Sequence, residues 1–143
     1  MKVYEAGLIV GSVPIVQVML KEFRRMKLDL TLRSALLDSL LTMAEVTLDK
    51  IEHLEGSKIV ISIESGTITD SDGVEQTLIA YVVLEKVPKF EKIIETRFRP
   101  LLRYIIEEFK EVYSKRDFAE ISQFQLYKIN IVTTFGLLST EAD

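Results

Sequence analysis

Residues 3–20 read VYEAGLIVGSVPIVQVML, and this stretch decides the fold. Residues 3–10 and 14–20 are each of strand length and rich in Val and Ile. Gly11 and Ser12 between them supply the backbone freedom of a tight connection. Pro14 cannot donate to a ladder, so it belongs at a strand start or on an edge. The chain therefore opens with two strands joined by a short turn.

Working outward, residues 22–27 (EFRRMK) form a basic, irregular connection. A helix is expected over residues 30–47, capped by Asp29 or Thr31. Leu32, Leu36, Leu40 and Met43 lie on one line of it, with Leu37, Leu41 and Ala44 beside them and Ala35 and Val46 widening the stripe. Such a face exceeds the roughly 100° that contact with one sheet requires. Either this helix is buried on two sides within the monomer, or one side meets a partner. The small residues Ala35 and Ser39 beside Leu36 and Leu40 would permit close helix approach.

Residues 50–55 and 58–64, joined by Gly56 and Ser57, read as a hairpin. Ile59, Ile61 and Ile63 alternate with Lys58, Val60, Ser62 and Glu64, the pattern of a half-buried strand. Residues 65–76 (SGTITDSDGVEQ) are polar and turn-rich, and an exposed loop is expected there. Residues 77–87 are apolar on both faces and read as a central strand.

A long helix should start near residues 88–90. Its apolar line runs Phe90, Ile93, Ile94, Phe98, Leu101, Leu102, Ile105, Ile106, Phe109, Val112 and Tyr113, an i, i+3, i+4 repeat of about six turns. The other face carries Glu91, Lys92, Glu95, Arg99, Arg103, Glu107, Lys110 and Glu111. Pro100 should kink this helix or split it. Residues 117–127 read as a shorter helical segment anchored by Phe118, Ile121 and Phe124. Residues 129–138 (INIVTTFGLL) are apolar and β-prone, and they fit a docked segment, an added edge strand or a tail.

The 143-residue length makes one domain the natural expectation. A domain of that size buries roughly two-thirds of the surface of its unfolded chain. It contains no cysteine, which excludes disulfides and thiolate chemistry and fits a reducing, cytoplasmic setting. The formal charge of -4 and pI near 5.2 argue against nucleic acid as the main partner. The mean hydropathy of +0.19 is high for a soluble monomer, which suggests that some surface is covered by another subunit. No segment approaches the ~20 apolar residues of a membrane span. Residues 6–20 superficially resemble a signal-peptide core, but Glu5, Pro14 and the following Lys21 and Glu22 do not suit one.

Catalytic chemistry finds little to work with. His53 is the single histidine, placed on a strand between Glu52 and Leu54, with no nucleophile framing it as a base. One histidine and no thiolates give no zinc site. Asp70-Ser71-Asp72-Gly73 lacks the glycine position and terminal glutamate of a calcium loop, and it reads as a β-turn. No phosphate-binding glycine motif occurs. Glu107 and Glu108 are placed on a solvated helix face. The basic cluster Arg24, Arg25 and Lys27 reads as a solvated loop or as a contact for an acidic partner or lipid headgroup. No enzyme activity, metal or cofactor is expected.

Taken together, the elements resemble the longin-like and roadblock-like family of the profilin-like α/β (α+β) architecture. Residues 7–15 resemble its first two strands, 31–47 its first helix, 48–64 its third and fourth strands, 77–84 its fifth, and 90–113 its second helix. The resemblance implies a five-stranded antiparallel sheet with helices on its faces, in the order β-β-α-β-β-β-α plus a C-terminal helix. No SNARE segment follows, so fusion is not implied, and the chain is closer in style to short, free-standing archaeal modules. Such modules pair with one another and with small GTPases, often in vesicle trafficking. The resemblance places a dimer interface on the first helix and the strand beside it: Leu32, Ala35, Leu36, Ser39, Leu40, Met43, Lys50, Glu52 and Leu54. The alternative is a small-molecule sensor with a pocket between the sheet and the long helix.

Overall fold

The computed structural model describes residues 1–20, 53–55 and 58–141. The expected helix over residues 30–47 and the basic segment over residues 22–27 lie outside the described residues. The chain is α+β. Strands β1 (Val3–Val10), β2 (Val13–Met19), β4 (Ile59–Thr69) and β5 (Glu75–Glu85) form an antiparallel sheet in the order β2-β1-β5-β4, and a three-residue segment, β3 (His53–Glu55), pairs with β4 beyond it.

The opening hairpin turns at Gly11, whose φ of 62° favours a residue without a Cβ. Between Leu8 and Ile9 the pairing of β1 with β2 shifts register. This bulge lets both Ile15 and Val16 enter the core.

Two sequence expectations change around β4. The strand continues through Thr69, so the stretch expected as a loop over residues 65–76 is mostly paired, with Gly66 opposite Leu78 and Thr67 opposite Thr77. Only residues 70–74 turn. The polar composition was misleading because side chains near a hairpin end can meet water while the backbone stays in the ladder. Burial also exceeds the half-buried expectation: Ile59, Val60, Ile61, Ser62 and Ile63 are all buried. Both faces of the sheet are buried there, and in the centre Leu78 through Leu84 are buried without a break, which suits a strand covered on both sides.

Helical segments cover one face. Phe90–Ile93 (α1) leads through a π-helical turn, Ile94–Phe98, into Arg99–Tyr113 (α2). Pro100 sits in the first turn of α2, where its missing N–H is not needed. The wider π turn before it is how the chain continues past a residue whose ring would crowd the preceding carbonyl. Leu102, Ile105, Ile106 and Phe109 of α2 are buried against the β4 and β5 side chains Val60, Ile68, Ala80 and Val82. Gly66 faces this helix: a Cβ there would stand 3.2 Å from Ile106 Cγ2. Val112, expected on the buried line, is exposed.

A 3-10 helix, Ile121–Tyr127, and the helix α3 (Lys128–Glu141) complete the layer. Phe118 and Phe124 are the anchors expected, but Ile121 is exposed. Phe124 stacks on Phe118 at 5.6 Å and meets Phe109 at 5.6 Å and Tyr113 at 5.2 Å. The β-prone stretch over residues 129–138 is helical. Ile131 and Phe135, one turn apart, reach the core beside β1 and β2 and are almost fully buried. Tertiary packing of that pair outweighs the weak strand preference of the β-branched residues. Among the described residues no helix is long and apolar enough to cross a membrane.

Candidate functional site

At one end of the sheet the turn after β1, the turn after β4 and the segment after α2 converge on an open cleft of about 660 Å³. Backbone hydrogen bonds hold the three together. Gly11 N donates to Thr77 O at 2.8 Å, Lys115 N to Thr69 O at 2.7 Å, and Ser71 N to Arg116 O at 2.9 Å. Lys115 takes a left-handed φ of 66°, which turns the chain at the end of α2. Val10, Val13 and Phe118 give the cleft its apolar walls, and Asp70, Asp72, Glu75 and Asp117 give it carboxylates.

These carboxylates are not equivalent. Asp70 Oδ1 accepts from the backbone N–H of Asp72 and of Val74, both at 2.9 Å, and its Oδ2 accepts from Gln76 Nε2 at 3.0 Å. The Gln76 amide, more than any other group, holds the Asp70 carboxyl below its ordinary range, with help from the two backbone donors. Asp70 is thus committed to the turn that the sequence DSDG promised. Asp117 Oδ1 accepts from Ala119 N at 3.0 Å and shapes the next turn in the same way. Asp72 and Glu75 add negative charge at the rim. Among the described residues no group of three or more His, Cys, Asp or Glu side chains is placed to hold a metal ion. The cleft can attract a cationic group, but its hydroxyls, Ser12, Ser71 and Thr77, have no imidazole beside them in the lining.

Three polar clusters that sequence reading missed lie elsewhere. Glu108, expected on a solvated face, joins α2 to the C-terminal segment. Its Oε2 accepts from Tyr104 Oη at 2.5 Å, and its Oε1 accepts from Tyr127 Oη at 2.8 Å and Asn130 Nδ2 at 2.9 Å. The Tyr104 bond is the main cause of a carboxyl held below its usual range. Burial, then the Glu108 bond, pushes the Tyr127 phenol up. The i, i+4 spacing of Tyr104 and Glu108 was visible in sequence; the other two donors, 19 and 22 residues on, were not.

The second cluster is ionic. Arg99, also expected on the polar face, bonds Glu64 of β4 through Nε at 2.8 Å and Glu95 through Nη1 at 2.8 Å, and Arg103 Nε adds a 3.2 Å contact to Glu64. Glu64, more than Glu95, raises the affinity of the Arg99 guanidinium for its proton. The third cluster is buried in the sheet, where Tyr81 Oη donates to Glu5 Oε2 at 2.5 Å and Gln17 Nε2 approaches the same hydroxyl at 3.4 Å.

Of the interface residues expected from sequence, Leu54 is on β3, where its backbone is paired opposite Ile61 at the outer side of β4. Leu32, Ala35, Leu36, Ser39, Leu40, Met43, Lys50 and Glu52 lie outside the described residues, as do Arg24, Arg25 and Lys27. His53 is on β3 opposite Ser62. Comparison of the chain with protein-family models, curated proteins and solved structures gave no match.

Proposed function

We propose that this chain is a non-enzymatic protein–protein interaction module of longin-like or roadblock-like type. It pairs with itself or with a sister module and serves as a scaffold or regulator for a small GTPase of a trafficking-like system. The observation that carries the reading is the arrangement of the sheet. An opening hairpin and a later antiparallel meander share one sheet, and the long helix that follows the last strand packs back across β4 and β5. Of the strand residues 50–54 given to the interface, Leu54 lies in the segment that stands beyond β4 in that order. A sheet edge paired symmetrically with a second copy ceases to be an aggregation hazard.

Sedimentation velocity over a rising concentration series tests the pairing. A concentration-dependent dimer is expected. A strict monomer at the highest concentration, with no partner module added, removes self-pairing, and a strict monomer that also fails to bind candidate sister modules removes the reading.

The cleft beside Asp72 and Glu75 favours a second reading, a small-molecule sensor. The cleft is at the hairpin end of the sheet, not between the sheet and the long helix. Calorimetric titration with small cationic metabolites would separate the two, since the scaffold reading predicts no heat of binding there.

A further inference from the structure

We draw no further inference here: the strongest candidate, the exposed apolar stripe of Leu126, Ile129 and Val132 on the outer side of the C-terminal helix α3 and the turn before it, carries none because nothing in the structure shows what covers it.

Discussion

The ring of Tyr81 on β5 lies across the bare Cα of Gly7 on β1, so that a Cβ at position 7 would stand 2.8 Å from both Cε1 and Oη of the tyrosine. The glycine makes room for the ring, and the ring covers the gap a glycine leaves in a strand. From there the hydroxyl reaches Glu5, two residues along on the same face. One absent side chain therefore positions a buried polar contact.

Gly7→Ala should destabilise the fold by about 1–3 kcal/mol, the usual cost of overpacking a rigid site. Backbone as well as ring blocks the new methyl, because the Val16 carbonyl lies on the other side. Gly66→Ala meets only the Ile106 methyl at 3.2 Å and should cost less. Urea unfolding of the two variants checks the order. If Gly66→Ala proves the more damaging, the account of Gly7 is wrong.

The aromatic core joining α2 to the C-terminal segment should dominate stability in the helical layer. Phe109→Ala and Phe135→Ala each remove a fully buried ring and should cost about 3–5 kcal/mol. Val112→Ala lies on the same sequence stripe as Phe109 but is 52% exposed, and it should stay within about 0.5 kcal/mol of the wild type. Chemical denaturation of the three proteins distinguishes true burial from helical periodicity.

Acid should loosen the bond between α2 and α3. The folded protein holds the Glu108 carboxyl below its ordinary value of 4.5, so this group contributes stability that is present above that pH and is lost as pH falls through the lower, folded value. Asp70 and Glu120 are lowered too and act in the same direction. Glu108→Gln removes only the first of these contributions. It should cost about 1 kcal/mol at pH 7, where an amide cannot accept from all three donors. The gap from wild type should narrow as pH falls from 7 to 3. Thermal melts at both pH values read this, and a gap that stays constant with pH would contradict the role given to the charge.

The Glu64 cluster should split unequally between its two arginines. Arg99 and Glu64 side chains are 16% and 13% exposed, whereas Arg103 is 58% exposed. A double-mutant cycle of Arg99→Met with Glu64→Gln should give a coupling of about 1–2 kcal/mol, and the Arg103→Met cycle under about 0.5 kcal/mol. Salt should weaken the second more than the first. Equal couplings would show that burial does not set the strength of these pairs.

Leu36→Glu and Leu40→Glu probe the proposed pairing. If these residues form the expected interface, both variants remain folded by circular dichroism and sediment as monomers. Loss of folding identifies them as core, since a buried unpaired charge is very costly. A folded, unchanged dimer contradicts the interface.

Local periodicity determined much of this protein from sequence alone. Alternation and apolar runs marked β1, β2 and β5, and the i, i+3, i+4 line from Phe90 to Phe109 marked the long helical stretch, because side chains three or four apart share a helix face whatever the rest of the chain does. The DSDG turn was equally legible, because Asp70 bonds to backbone within four residues. Tertiary structure decided the rest. The β-prone residues 129–138 became helix because Ile131 and Phe135 fill a space left by β1 and β2, and β4 ran on to Thr69 because β5 was there to pair with it. Tyr127 and Asn130 at Glu108, Arg99 at Glu64 and Tyr81 at Glu5 stand 19 to 76 residues from the groups they meet. No short window of sequence holds both members of such a pair, so only the folded chain could reveal them.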